Sequence, residues 1–293
     1  MQYTYNVLFN EQIHRLFRLP YKLTITGDTQ KGRPVIFLHG IASNSATWKF
    51  VLPILPKKYR AITIDLLGFG MSAKPKYTQY TIADHTSAVV RTIRSIHCDK
   101  PVILVGHSMG ALIAIDIAKK YPRLVSSLVL VSAPLYNTLD VKAAGEANAE
   151  EQGKTASNLF FIYHKLIANQ NFTLKAAQAI MKVAPSSNSF FLTLDTWLPF
   201  QHSLTNTIMS QTTLNDLRGL QLPIYMLYGK LDLLLQQKNY TLLEKEGRKN
   251  ITIIPYTGAH MITKSGAQSV VQAINAAALK NNTHRKIAAK TER

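Results

Sequence analysis

The chain has 293 residues, nearly half of them apolar, which allows one large domain or a core domain carrying an insertion. A single cysteine, Cys98, excludes an intramolecular disulfide, and no stretch approaches the roughly 20 apolar residues that a membrane-spanning helix needs. The balance of 34 basic against 16 acidic residues gives a formal charge of +18. The basic residues are scattered, and only the tail after Leu279 concentrates them (Lys280, Arg285, Lys286, Lys290, Arg293). No nucleic-acid motif accompanies them, so nucleic acid is not an expected partner. A solvated basic surface is the plain reading, and weak association with an anionic membrane surface is its expected consequence. Residues 1–9 lack the basic start and long apolar run of an export signal, so a cytoplasmic location is expected.

In chain order, Phe9, Ile13, Leu16 and Phe17 fall at helical spacing within an amphipathic segment over residues 6–18. A short strand is predicted at 22–26, a buried strand at 35–38, a helix at 48–55 that stops at Pro56, and a strand at 61–64. A helix over 81–97 leads to a continuous apolar strand at 102–105. The chain then turns sharply into an apolar helix at 111–119. Residues 128–131 form the next strand, whose lack of alternation suits an interior position covered on both faces. The rhythm breaks between residues 134 and 221, where the pattern is helical. Leu159, Ile162, Tyr163, Leu166 and Ile167 make one apolar stripe there, and Phe190, Phe191, Trp197, Leu198 and Phe200 an aromatic cluster. Strand, helix, strand, helix then return at 224–228, 237–246, 251–254 and 265–279. Alternation of this kind predicts an α/β fold with a mostly parallel sheet and helices on both faces.

The strongest local signal is Gly106-His107-Ser108-Met109-Gly110, a G-x-S-x-G turn between an apolar strand and an apolar helix. A serine on such a turn stands exposed on a strained backbone, and small residues two positions away let strand and helix approach. The serine needs a base. His260 follows the strand at 251–254, and loops past the carboxyl ends of parallel strands are where such sheets build sites. The base needs an orienting carboxylate. Asp232, just past the strand at 224–228, is the first candidate, and Asp140, after the strand at 128–131, is the alternative. The order Ser, Asp, His is the one expected on such a sheet. The backbone N–H groups of Met109 and of Ile41, in the loop after the strand at 35–38, are candidate oxyanion donors. Asp65, in Asp65–Ser72, reads as structural, and Gly68-x-Gly70 lacks the third glycine of a dinucleotide loop. His107 is expected to be buried beside Ser108 without acting as a base. No cluster has metal-ligand spacing, so neither metal nor cofactor is expected.

On His39-Gly40, Trp48, Asp65–Ser72, Gly106–Gly110, Gly229–Asp232 and Gly258–His260, the chain resembles the α/β-hydrolase superfamily, on its cap-bearing branch of small esterases. The resemblance covers roughly residues 21–279. It implies an eight-stranded core with a helical cap over the site. The expected organisation is an N-terminal helical segment at 1–20, a core at 21–134 and 222–279, a cap at 135–221, and a basic, disordered tail at 280–293. The expected chemistry is serine hydrolysis of a carboxylic ester of a small or medium apolar acid, with Phe160, Tyr163 and Trp197 in the substrate pocket. Two alternatives stay open: a carbon–carbon bond hydrolase using the same three residues, and a ligand-binding protein on the same scaffold. Oligomeric state is left open.

Overall fold

A computed structural model describes residues 12–17, 19–136, 156–183 and 190–291. Its sheet has seven strands: β1 (Ile25–Asp28), β2 (Arg33–Leu38), β3 (Tyr59–Ile64), β4 (Val102–His107), β5 (Val125–Val131), β6 (Ile224–Gly229) and β7 (Ile251–Tyr256). Their order is β1-β3-β2-β4-β5-β6-β7. β1 runs antiparallel to β3, and every other pair is parallel. The period of two in a strand sends alternate side chains to opposite faces, and here both faces are apolar. Ile36, Leu38, Leu104 and Leu130 face one core, with α1 (Ile82–Ser95), α2 (Met109–Lys120) and α7 (Gln237–Lys245). Val35, Phe37, Val105 and Val131 face the other, with Trp48 and the last helix, α8 (Lys264–Thr291). The sheet is thus covered on both sides.

Three expectations are corrected. The sheet has seven strands among the described residues, where eight were implied. Before β1, side chains take the donors, with Leu23 N–H donating to Thr92 Oγ1 at 2.8 Å and Thr24 N–H to Ser72 Oγ at 2.9 Å, while Thr24 O accepts from Asp65 N–H at 3.0 Å. The helix expected at 48–55 is a pair of 3₁₀ turns, Ser45–Trp48 and Leu52–Ile54. Pro53 removes a donor and Pro56 stops the second turn, so no α-helical ladder can develop. The basic tail does not leave the helix at Leu279, because α8 continues to Thr291. Residues 280–291 contain neither Gly nor Pro and are rich in Ala, Lys and Arg, all good helix formers.

Between β5 and β6 the described chain is helical: α3 (Ala156–Ala168), α4 (Gln170–Val183), α5 (Leu194–Ser203), five residues of π-helix at Leu204–Ile208, and α6 (Thr213–Gly219). Of the segment expected over 6–18, residues 12–17 are described and are helical.

Backbone meets backbone where α2 leaves β4. A Cβ placed on Gly110 would run into the carbonyl oxygens of Leu38 and His39, and one on Gly106 into the carbonyl of Gly110. Backbone cannot step aside as a side chain can. Gly110→Ala is therefore expected to lower the free energy of unfolding by about 1–3 kcal/mol. Urea denaturation followed by circular dichroism checks this, and an unchanged midpoint would show that α2 shifts at no cost.

Candidate active site

β4 and α2 are joined by a single residue, Ser108, at φ +52° and ψ −121°. A positive φ is costly for a residue with a Cβ, on the order of 1–3 kcal/mol. The conformation is held by pairing on both sides. Ser108 N–H donates to Val131 O in β5 at 2.9 Å, and Ala111 N–H donates to Ser108 O at 2.9 Å. The side chain is thereby set at the carboxyl edge of the sheet, ahead of the N-terminus of α2.

The loops after β6 and β7 are tied to each other. Lys230 N–H donates to Tyr256 O, and Leu231 N–H to Gly258 O, both at 2.9 Å. This brings Asp232 and His260 together although 28 residues separate them. Asp232 is 1% exposed. Its Oδ1 accepts from Leu234 N–H at 3.0 Å, and its Oδ2 lies 2.8 Å from His260 Nδ1. His260 Nε2 lies 3.0 Å from Ser108 Oγ. With Nδ1–H donated to the carboxylate, Nε2 of the neutral ring is left to accept the serine proton. The three residues picked out from sequence are thus hydrogen-bonded in one line. Asp140, the alternative acid, lies outside the described residues.

The loop after β2 crosses in front of Ser108. Gly40 is so close that a Cβ on it would lie 3.1 Å from Ser108 Cβ. Two buried groups hold that loop. Leu66 N–H donates to His39 Nε2 at 2.8 Å, so the ring proton sits on Nδ1 and is donated to Gly40 O at 2.7 Å. Asp65 accepts from Ser45 N–H at 2.9 Å and from Met71 N–H at 2.8 Å, which joins the loop after β2 to the loop after β3. Ile41 follows Gly40 and reaches the cavity described below. Met109 opens α2, so its N–H has no acceptor within the helix.

In front of Ser108 and His260 lies a cavity of about 370 Å³. Its walls are mostly apolar and come from the helical insertion, including Ile162, Leu166, Phe200, Leu204 and Ile208, with Leu234 from the Asp232 loop. Of the three residues expected in a pocket, only Tyr163 is in this wall. Phe160 is buried behind it, its ring 5.1 Å from that of Tyr136 and 6.2 Å from that of Tyr163. Trp197 packs on Phe200, ring centroids 5.7 Å apart, and does not line the cavity. The stripe on α3 contained the signal, since Ile162, Tyr163 and Leu166 face the cavity. Phe160 falls one helical step away from that face. The aromatic cluster likewise divides, with Phe190 and Phe200 lining the cavity and Phe191 turned to solvent. Among the described residues no group of three His, Cys, Asp or Glu could hold a metal ion, and no helix is long and apolar enough to cross a membrane.

Three more histidines, His39, His85 and His107, are buried without joining this line. His107 is buried, and its Nε2–H donates to the carbonyl of His260 at 2.9 Å, pinning the base from behind. Burial lowers its pKa to about 3, that of His85 to about 3, and that of His39 to about 4. All three pair poorly with a proton in the folded state but take one freely once unfolded. Between pH 6.5 and these lowered values, the unfolded chain therefore binds more protons. Their contribution to stability is fully present above pH 6.5 and is lost as the pH falls toward 3–4, each at up to about 1.4 kcal/mol per pH unit. Unfolding midpoints in urea at pH 7, 5.5 and 4.5 are expected to fall steadily. A flat profile would mean that the three rings carry protons in the folded protein.

The sequence profile of the alpha/beta hydrolase fold family matches residues 33–266, which takes in strands β2 to β7, the helical insertion and all three residues of the hydrogen-bonded line. The chain belongs to that family. A probable lysophospholipase of Arabidopsis thaliana, BODYGUARD 2, is 36% identical over 115 residues, covering 37% of this chain and 24% of the plant protein. A 2-hydroxy-6-oxo-6-(2'-aminophenyl)hexa-2,4-dienoic acid hydrolase of Metapseudomonas resinovorans is 38% identical over 108 residues, 35% of this chain and 36% of that one. The chain thus spans about a quarter to a third of the length of the curated relatives it matches. The solved structure of an esterase from Exiguobacterium antarcticum superposes with a TM-score of 0.65 at 17% identity, over 88% of this chain and 98% of the esterase. At that identity the superposition speaks for the fold.

Proposed function

We propose that the protein is a serine hydrolase that cleaves carboxylic esters of small or medium apolar acids through an acyl-enzyme. The observation that carries this reading is the Asp232–His260–Ser108 line, with spacings of 2.8 and 3.0 Å, opening onto an apolar cavity. His260 Nε2 takes the proton of Ser108 as Oγ attacks the ester carbonyl. The imidazolium so formed is stabilised by the buried carboxylate of Asp232. The N–H groups of Met109 and Ile41 receive the oxyanion. Collapse of the tetrahedral intermediate expels the alcohol, which takes the proton from His260. Water, deprotonated by the same nitrogen, then attacks the acyl-enzyme, and the acid departs as Ser108 regains its proton.

The dienoic acid hydrolase among the relatives supports a second reading, carbon–carbon bond cleavage with the same three residues. The cavity favours the ester. A dienoic acid brings a carboxylate of its own, and no Lys or Arg stands in the cavity wall among the described residues. An apolar acyl chain fits such a wall at no desolvation cost.

The test is the initial rate on p-nitrophenyl acyl esters of increasing chain length. Turnover is expected to peak at a medium chain, with Ser108→Ala reducing kcat at least about 10³-fold and Asp232→Asn by a comparable factor. Absence of turnover at every chain length would overturn the ester reading. Turnover of a dienoic ring-fission product instead would establish the second.

A further inference from the structure

Large apolar side chains stand in solvent on the segments that supply the cavity wall. Leu231, Leu233 and Leu234 follow β6, Phe161 and Ile162 lie on α3, and Phe172 lies on α4. Leu233 is 91% exposed and Phe172 63%. Ile162 and Leu234 are themselves part of the cavity wall, as is Thr173. Phe161, Leu233 and Phe172 are their immediate chain neighbours. The exposed residues thus sit on the same segments as the cavity wall, and Ile162 and Leu234 belong to both. Single exposed apolar residues are ordinary, but a clustered set around one opening marks a surface meant to be covered.

The charges on the same elements share one sign. The sequence of α3 and α4, residues 156–183, contains Lys165, Lys175 and Lys182 and no Asp or Glu. The Lys165 ammonium lies over the Phe161 ring, 4.5 Å from its centroid. Lys230 precedes the leucine run after β6. The one carboxylate in that run, Asp232, is buried against His260 and does not oppose Lys230. Apolar side chains beside cations match the interface of an anionic bilayer, where the leucine and phenylalanine groups enter the acyl boundary and the ammonium groups meet headgroup phosphates.

We propose that this rim docks the cavity mouth onto anionic lipid bilayers, so that a substrate enters from the lipid phase. What enters rests on the ester-hydrolase reading, while the docking itself does not. The full chain would be sedimented with vesicles of phosphatidylcholine alone and of phosphatidylcholine mixed with phosphatidylglycerol. The wild type is expected to bind the mixed vesicles in preference and to be released by high salt. The double variant Leu233→Glu/Phe172→Glu is expected to bind at least about tenfold more weakly while hydrolysing a soluble short-chain p-nitrophenyl ester at the wild-type rate. Ser108→Ala is expected to lose hydrolysis and bind vesicles as the wild type does. Equal binding by the wild type and the double variant, or no preference for the anionic vesicles, would overturn the proposal. So would sedimentation velocity showing a wild-type dimer that the double variant dissociates, since the patch would then be a contact between copies. Vesicle binding without hydrolysis of any ester would refute the ester reading and leave the docking in place.

Discussion

One residue must turn the chain from the central strand of the sheet into the helix beside it, and that residue is Ser108. Its positive φ is tolerable only because both flanks are fixed. Val131 O in β5 holds its N–H, and glycines at 106 and 110 let strand and helix meet at backbone contact. Every other feature of the site follows from where this turn stands. The sheet is parallel from β3 to β7, so the loops after β2, β6 and β7 all emerge at the same edge as Ser108. The loop after β2 can come close enough to touch the serine only because Gly40 has no side chain.

The buried carboxylate of Asp232 sets the second constraint. A charge taken out of water must find partners, and Asp232 has two, the N–H of Leu234 and the ring of His260. Those bonds orient the imidazole toward Ser108. Behind it, His107 holds the backbone of His260 and is kept neutral by burial, so it neither competes for the serine proton nor repels the imidazolium that the proposed chemistry creates. Asp65 and His39 do similar work on the loop after β2, although neither reaches the cavity. The polar groups around the site are thus divided between three in line and several that keep the line straight.

The parts of this arrangement that depend on local pattern were legible in the sequence. Ser108 was marked by its glycines and by the apolar strand and helix around it, while Asp232 and His260 were marked by their places past strand ends. What depends on tertiary neighbours was not. Phe160 and Trp197 carry the same chemistry as Tyr163, and nothing in their local sequence says which way each helix face turns. The number of strands was likewise hidden, because the choice between a partner strand and the side chains of Ser72 and Thr92 is made by residues nearly 50 to 70 positions away. Residues 280–291 illustrate the reverse error. Their charge and polarity read as disorder, while the absence of Gly and Pro lets α8 run on.

The proposed chemistry requires Ser108 to be a nucleophile activated by His260. The direct measurement is reaction of the folded protein with a fluorophosphonate, followed by mass spectrometry of its peptides. Displacement of fluoride should leave one phosphonyl adduct, on Ser108. It should be absent in His260→Ala and in protein denatured before exposure, because the oxygen is reactive only while the imidazole removes its proton. A folded protein that forms no adduct, or forms it at another residue, or labels equally well without His260, would contradict the account.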